Sequence, residues 1–197
     1  MANTNNTHVV TGEVRFSYEH LMKPHTNDPK NPERYSVTML IPKSDIETKA
    51  KIDAGIRAAL QNGVNRGLFD KALPLDKLPT PLYDGDGVRA DGYTPFGPEC
   101  KGCWVMTASC SVDRKPEVVD INGAPIVIAS QVYSGCYGRV SLDFFPYSAA
   151  ARKGVGCGLC NAQKTRDGEA IGFTRATASD DFGTPKTGAA ADFDPLS

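Results

Sequence analysis

The sequence lacks the features that mark membrane and secreted proteins. Its 197 residues contain no apolar run approaching the roughly 20 needed to span a bilayer, and the first ten have neither a basic start nor an apolar segment. We therefore expect a soluble, intracellular protein. In a reducing compartment, its six cysteines are expected as thiols or metal ligands and not as disulfides.

Signatures of catalysis are also missing. The glycines from Gly154 to Gly158 are not followed by the Lys and Ser/Thr of a phosphate-binding loop, and they do not complete a dinucleotide-binding motif. The three histidines, His8, His20 and His25, lie near the N-terminus without a recognisable nucleophile. These absences favour a protein that is not an enzyme and needs no cofactor.

Glycine and proline are abundant, with 19 and 14 residues, and the hydrophobic fraction of 40% is enough for one core. This composition favours many turns and a strand-rich fold over a helix bundle. The length fits one domain with tails. We predict a disordered N-terminus over residues 1–7, a folded domain over 8–173 and a disordered acidic tail over 174–197.

Alternating apolar residues predict the strands. A first strand over 9–18 would place Val10, Val14, Phe16 and Tyr18 in the core. The strongest pattern runs over 133–147, where Val140, Leu142 and Phe144 alternate with polar and aromatic residues. Further strands are predicted over 34–41, 103–111 and 154–159.

One helix is predicted over about 45–64. Ser44 and Glu47 have the spacing of a capping box, and apolar residues recur from Ile52 at helical spacing. The next thirty residues, to about Pro98, are rich in Pro, Gly and Asp and predict a long irregular excursion. Five or so twisted strands with one inserted helix predict a mainly β protein with a single OB-fold-like barrel, and a sandwich is the alternative.

The formal net charge of −1 hides an uneven distribution. Residues 100–166 contain eight basic and four acidic residues, whereas residues 174–197 contain two basic and four acidic ones. A basic domain followed by an acidic tail is typical of proteins that bind polyanions, although a solvated surface with a loose end is the alternative.

The outward positions of the strongest strand pattern combine aromatic rings with a cation. Nucleic-acid bases stack on such rings whatever their identity, while cations neutralise the phosphates. The strand therefore predicts a surface for unpaired nucleic acid, although any of these rings could instead pack beneath a loop or the helix. The candidates are Tyr133, Tyr137, Arg139, Phe145 and Tyr147, with Arg34, Lys101, Trp104, Arg114, Lys115, Arg152 and Lys153 as rim or backbone contacts.

Two cysteine pairs suggest an alternative. Cys100 and Cys103, and Cys157 and Cys160, each have the spacing of half of a four-thiolate zinc site. A cysteine inside a strand is also commonly a small buried hydrophobe, and the surrounding sequence favours that second interpretation. A zinc-dependent nucleic-acid enzyme would need this metal and an acid–base residue beside it.

Several segments together resemble the single-stranded DNA-binding proteins of tailed bacteriophages. The resemblance covers about residues 10–172 and is carried by residues 15–18, 35–43, 114–120, 132–140 and 163–169. The most specific segment is Val-Tyr-Ser-Gly-Cys-Tyr-Gly-Arg-Val at 132–140. The resemblance implies an OB-type barrel with an inserted helix, sequence-independent binding of single strands, and roles for Tyr133, Tyr137, Arg139, Arg114 and Lys115. Cys103 and Cys160 depart from the family pattern.

The end of the chain resembles the acidic tails of bacterial single-strand binders, in which apolar side chains alternate with carboxylates. The residues concerned are Asp192, Phe193, Asp194 and Leu196. We expect this tail to occupy the basic groove when DNA is absent, or to contact replication or recombination proteins.

These features together predict a phage protein that binds single-stranded DNA without sequence preference and protects it during replication or recombination. The expected location is the cytoplasm of the bacterial host, with no membrane contact. The alternative is a phage structural, assembly or protein-interaction module built on the same barrel. Salt distinguishes the two, because phosphate contacts weaken as salt rises and an apolar interface responds little.

Overall fold

The computed structural model describes residues 6–70, 74–149 and 152–172, so the predicted tail and residues 1–5 lie outside the described part. Within these ranges the chain is mainly β, as predicted, and contains one α-helix, α1 (Ile46–Asn65). No helix in the described residues is long and apolar enough to cross a membrane. The strands are β1 (His8–Val10), β2 (Val14–His25), β3 (Arg34–Pro42), β4 (Leu82–Asp84), β5 (Cys103–Ser111), β6 (Glu117–Val119), β7 (Tyr137–Ala149) and β8 (Arg152–Arg166).

Five strands form a closed ring. β2 pairs with β3, β3 with β5, β7 with β8 and β7 with β2, all antiparallel, and the parallel pair β5–β8 completes the circuit. Two of these junctions are short: Ser109 opposite Gly158 is the one registered pair between β5 and β8, and β2 meets β7 at two positions. The ring is therefore OB-fold-like but not a regular barrel, and β1, β4 and β6 pair outside it.

The core fills the ring with the alternate residues that the sequence pattern predicts. Val140, Leu142 and Phe144 of β7 are buried, as are the inward residues of β3 and β5. Each such side chain stabilises the fold by about 1.5–3 kcal/mol. Helix α1 covers this core and approaches β7 closely at Gly55, where a Cβ atom would lie 2.6 Å from the ring of Phe144. Only glycine permits that approach.

Helix α1 begins where the sequence predicts, but its N-cap residue differs from the predicted one. Asp45, and not Ser44, is the N-cap, and its Oδ1 accepts a hydrogen bond from the Thr48 N–H at 3.0 Å. The capping-box prediction for Ser44 is wrong because the turn after Pro42 places Asp45 at the helix start, with the Asp45 N–H donating to the Pro42 carbonyl. On the exposed face of the helix, Glu47 and Lys51 form an i,i+4 ion pair at 2.6 Å.

The first predicted strand is two strands with a break. The Thr11 hydroxyl accepts a hydrogen bond from the Val140 N–H, and the turn that follows separates β1 from β2. Because of this break, Val9 enters the core and Val10 is 40% exposed. Tyr18 has a positive φ of 43° and is 64% exposed. The core assignments of Val10 and Tyr18 are therefore wrong, whereas Val14 and Phe16 are fully buried as predicted.

Candidate nucleic-acid interface

The predicted interface residues do not form one cluster. β7 begins at Tyr137, so Tyr133 lies outside it, in the segment before the strand. Arg139 and Tyr147 are eight residues apart on an extended strand, which corresponds to about 27 Å. The candidates on and near β7 therefore divide into a group before and at its start and a group at its end.

At the start of β7, both tyrosines are held by the protein itself. The Tyr133 hydroxyl donates to the Gly168 carbonyl oxygen at 2.9 Å and accepts from the Gly168 N–H, while the Lys164 ammonium lies 5.4 Å from the ring centroid. The Tyr137 ring is in cation–π contact with Arg166 at 3.5 Å and with Arg15 at 5.8 Å. These rings are half-buried and already stacked with protein cations.

Other predicted contacts lie on separate surfaces. Arg139 is exposed and donates from Nε to the Thr11 carbonyl oxygen at 3.1 Å. The half-buried Trp104 packs against the core, with the Lys43 and Lys49 ammonium groups 5.1 and 4.8 Å from its ring centroid. Lys101, Arg114 and Lys115 are exposed in turns that flank β5.

At the end of β7, two rings lie over a strip of glycines. Phe145 pairs with Gly156 and Tyr147 with Gly154 across the β7–β8 hairpin. A Cβ atom at Gly156 would lie 2.5 Å from Phe145 Cζ, and one at Gly154 would lie 3.0 Å from the Tyr147 hydroxyl oxygen. The glycines therefore leave space for the rings to rest on bare backbone, and Phe145 is 46% exposed.

A groove opens beside this hairpin. It has a volume of 1070 Å³ and combines aromatic, apolar and cationic side chains from β4, β7, β8 and the excursion between α1 and β5. The Val155 N–H donates to the Pro79 carbonyl oxygen at 3.0 Å, which fixes the excursion against β8. We call it the outer groove; it is lined by Leu78, Pro79, Thr80, Leu82, Tyr83, Ala90, Asp91, Tyr147, Arg152 and Lys153.

The outer groove continues into a second depression on the outward side of β5. Tyr83 and Ala90 line both, and the second, of 280 Å³, adds Arg89, Phe96 and Thr107. The Tyr83 and Phe96 rings are 6.3 Å apart, and the Arg89 guanidinium lies 5.6 Å from the Phe96 ring centroid. The two depressions form one path lined by rings and cations.

Beyond Phe96, the outward face of β3 and β5 is polar. The Thr38 and Thr107 hydroxyl groups are 2.8 Å apart, and Arg34 donates from Nε to the Ser109 hydroxyl at 3.1 Å. Because Ser109 is opposite Gly158 in the parallel β5–β8 pair, this face continues toward the Phe145 ring, which lies 3.7 Å from the Cβ position of Gly158. Arg34 therefore belongs to the same side of the molecule as Phe145 and the outer groove.

The electrostatics of the groove favour an anion. Arg89, Arg152 and Lys153 are exposed around it, and no ion pair joins any of them to an acidic side chain within the described residues. Asp91 is the acidic residue in the lining. Hydrogen bonds from the Thr94 side chain, then from the backbone N–H groups of Thr94 and Tyr93, hold the pKa of Asp91 below its ordinary value. The linings of the two depressions together therefore contain three cationic side chains and one carboxylate.

Sequence reasoning missed Tyr83, Phe96 and Arg89. They lie in the excursion, which the composition predicted to be irregular and which instead pairs with the sheet, Tyr83 being opposite Val105. The available signal was the apolar pair Leu82-Tyr83 followed by Phe96 among glycines, prolines and aspartates. The rings are positioned by this tertiary pairing, which has no local pattern.

The four predicted zinc ligands do not converge. Cys100 and Cys103 lie near the start of β5, whereas Cys157 and Cys160 lie on the part of β8 next to Ser109, six residues and about 20 Å along β5. The four-thiolate zinc alternative is therefore wrong. Burial, with a smaller contribution from Glu99 beside Cys100 and Asp143 beside Cys160, raises the pKa of each of these two thiols to about 11.

The ring and the groove together define an OB-fold protein. In chain order the second and third ring strands are β3 and β5, and the last two are joined by the β7–β8 connection. OB-folds bind oligonucleotides and oligosaccharides on the face of strands two and three and with the loop between strands four and five. The outer groove and the polar face of β3 and β5 occupy that position.

Comparison with known families identifies the group. A family model described as Enterobacter phage Enc34, ssDNA-binding protein, matches residues 7–193. The chain belongs to this family, as the sequence resemblance predicted.

Solved structures agree with this assignment. A single-stranded DNA-binding protein from bacteriophage Enc34 in complex with ssDNA is 28% identical, with a TM-score of 0.69 over 84% of this chain and 90% of that one. The same phage protein without DNA is 28% identical, with a TM-score of 0.67 over 89% and 90%. The bacteriophage T7 single-stranded DNA-binding protein gp2.5 shares the fold, with 16% identity and a TM-score of 0.57 over 93% and 98%. No curated protein sequence matches this chain.

Proposed function

We propose that this protein binds single-stranded DNA without sequence preference, along the outer groove and the outward face of β3 and β5. The observation that carries the proposal is the grouping of Tyr83, Tyr147 and Phe96 with Arg89, Arg152 and Lys153 on the face where OB-folds bind oligonucleotides. Bases stack on the rings and the cations neutralise phosphates, and neither interaction reads sequence. The family membership and the Enc34 complex with ssDNA support this function.

The biological role that follows is protection of single strands during phage DNA replication or recombination, in the cytoplasm of the host. The protein acts as a binder and not as an enzyme. The family's description as an ssDNA-binding protein supports protection of single strands and a role as a binder. The predicted partner-binding residues Asp192, Phe193, Asp194 and Leu196 lie outside the described residues, so contact with replication or recombination proteins through them rests on their sequence alone.

The aromatic residues at the end of β7 and those at its start have different roles in this proposal. Phe145 and Tyr147, on their glycine strip, present surface to solvent and to the groove. We assign base stacking to these two rings together with Tyr83 and Phe96. The residues that the family resemblance implicated lie outside the groove. We assign them to phosphate contacts at the ends of a bound strand or to support of the fold; they are Tyr133, Tyr137, Arg139, Arg114 and Lys115. Trp104 and Lys101 line neither the outer groove nor the second depression.

Salt-dependent binding tests the proposal. The affinity of a fluorescently labelled oligothymidine is measured by anisotropy over a range of salt concentrations, with unlabelled single-stranded and duplex competitors. Each neutralised phosphate contributes about 0.7 to the slope of log affinity against log salt for single strands. Lys153→Gln is expected to lower the slope by about that amount.

Lys51→Gln is the matched control. Lys51 is also exposed, but it lies on α1 and pairs with Glu47, so its loss removes the same charge away from the groove. Its salt slope should equal that of the wild type. If Lys153→Gln had the same salt slope as Lys51→Gln and the wild type, the groove would be excluded as the DNA site. Weak salt dependence of the wild type would favour the alternative of a protein-interaction module.

A further inference from the structure

Three different metal-binding side chains meet on neighbouring strands outside the groove's lining. His8 on β1 lies directly opposite Asp143 on β7, and Cys160 on β8 lies at the register shift of the β7–β8 hairpin. His8 Nδ1 is 2.9 Å from Asp143 Oδ1, and Cys160 Sγ is 3.4 Å from Asp143 Oδ2. One ligand atom from each residue lies within 4.8 Å of the other two, and among the residues the structure describes this is the one such group of three.

We propose that His8, Asp143 and Cys160 bind one Zn²⁺ ion and leave its fourth coordination position open. Zinc accepts imidazole nitrogen, thiolate sulfur and carboxylate oxygen at about 2.0–2.3 Å in a tetrahedral arrangement. Donor atoms within 4.8 Å of one another need small side-chain rotations to reach one ion. The thiolate and imidazole favour zinc over Mg²⁺ and Ca²⁺, which prefer sites built from oxygen ligands.

The surroundings of the three side chains permit access. His8 and Asp143 have side chains that are 50% and 56% exposed, so an ion enters from solvent without opening the fold. The Asp143 carboxylate holds both other side chains by hydrogen bonds, which places them on one side of the sheet before any ion arrives. The site is thus arranged in advance, on backbone that is already paired in β-strands.

Bound zinc would fasten the N-terminal strand to the ring. β1 has three residues, and His8 is 135 residues from Asp143 in the sequence. A metal that joins such distant residues binds the folded chain far better than the unfolded one, and therefore stabilises it. We expect the melting temperature to rise with zinc concentration, whether or not DNA is bound.

Metal substitution tests the site directly. The full chain, without an affinity tag, is titrated with Co²⁺ and its absorption is followed, and bound zinc is measured by elemental analysis after dialysis. The expected result is one ion per chain, tetrahedral d–d bands and a thiolate-to-cobalt charge-transfer band. Loss of partners in the outer shell alone weakens metal binding about 10–100-fold, so Cys160→Ser should cost at least about 100-fold and remove the charge-transfer band.

Cys103→Ser is the matched control. Cys103 is half-buried like Cys160, but it lies at the start of β5, whereas Cys160 lies on the part of β8 next to Ser109 near the end of β5. It should keep the cobalt spectrum and the zinc content. His8→Ala leaves the β7–β8 hairpin intact and should abolish the rise in melting temperature with zinc. A cobalt spectrum unchanged by Cys160→Ser, or wild-type protein that retains no zinc and shows no thermal shift with it, would overturn the proposal without affecting the proposed DNA-binding function.

Discussion

At the scale of single residues, ring position decides which aromatics can stack on bases. Tyr83 and Tyr147 line the outer groove, whereas Tyr93 is 78% exposed on the same excursion and lines neither depression. Loss of one stacking ring costs about 1–3 kcal/mol. Tyr83→Ala and Tyr147→Ala are therefore each expected to weaken single-stranded DNA binding about 5- to 150-fold.

Tyr93→Ala provides the comparison, since it removes an equally large ring with little contact to the fold. Its affinity in the same anisotropy titration should be within about twofold of the wild type, because surface substitutions away from a binding site change free energies by at most about 0.5 kcal/mol. If Tyr93→Ala weakened binding as much as Tyr83→Ala, the stacking path would have to be moved from the groove to the tip of the excursion.

Glu19 gives a residue-scale prediction on stability. Burial raises the pKa of Glu19 above its usual value of 4.5, against a smaller opposite effect of the hydrogen bond it accepts from the Leu21 N–H. The folded state therefore disfavours the ionised form, and this cost is absent well below pH 4.5 and develops as the pH rises through the folded-state pKa. Glu19→Gln keeps an acceptor for Leu21 and removes the charge.

Thermal unfolding of Glu19→Gln and wild type at several pH values checks this sign. The variant should melt at a higher temperature at pH 7, and the difference should vanish as the pH falls below 4.5. A variant less stable than the wild type at pH 7 would show instead that the ionised carboxylate stabilises the fold.

At the scale of elements, the start of α1 has two candidate N-cap residues, Asp45 from the structure and Ser44 from the sequence spacing. Asp45 accepts the Thr48 N–H, and the Thr48 hydroxyl in turn accepts the Gly12 N–H at 2.8 Å, which links the helix start to the β1–β2 connection. Loss of an N-cap acceptor costs about 1 kcal/mol. Asp45→Ala should therefore lower the free energy of unfolding by about 1 kcal/mol or more, measured by denaturant titration.

Ser44→Ala is the matched change one residue earlier. It should leave the unfolding free energy within about 0.5 kcal/mol of the wild type, because Ser44 does not cap the helix in this structure. The reverse order of the two effects would restore the capping box that the sequence spacing suggested.

The elements differ in how well the sequence predicts them, and the reason is physical. α1 and the centre of β7 carry a regular apolar period, so the place of the helix and the burial of Val140, Leu142 and Phe144 follow from the pattern. The ends of β7 do not, because the strand predicted over 133–147 extends from Tyr137 to Ala149. The break after Val10 does not, because a hydrogen bond from the distant Val140 N–H to Thr11 determines it. For the same reason β4 was missed: three residues gain strand geometry only by pairing with β5.

The residues of the candidate site also divide into those that a local sequence pattern selects and those that tertiary pairing places there. Phe145, Tyr147, Arg152 and Lys153 were identified because strand alternation and local charge select them. Tyr83, Phe96 and Arg89 were not, since their place in the groove depends on how the excursion docks against β8 through Pro79. The cysteine pairs failed as a zinc site because sequence spacing does not say which ends of two strands meet.

At the scale of the whole molecule, the uneven charge suggests competition between the acidic tail and DNA. Residues 174–197, which lie outside the described residues, contain two basic and four acidic residues. We predict that this segment competes with DNA for the cations of the outer groove, because a charged segment of the same chain acts at a high effective concentration. It should lower the apparent affinity for DNA, most strongly at low salt.

Deletion of residues 174–197 tests this competition. The shortened chain should bind single-stranded DNA more tightly than the full chain at low salt, and the two affinities should converge as salt rises, because screening weakens the tail and the DNA contacts together. Asp192→Asn with Asp194→Asn should reproduce part of the gain, whereas Phe193→Ala, which keeps every charge, should not. Equal affinities of the full and shortened chains at low salt would exclude competition for the groove and leave partner binding as the role for Phe193 and Leu196.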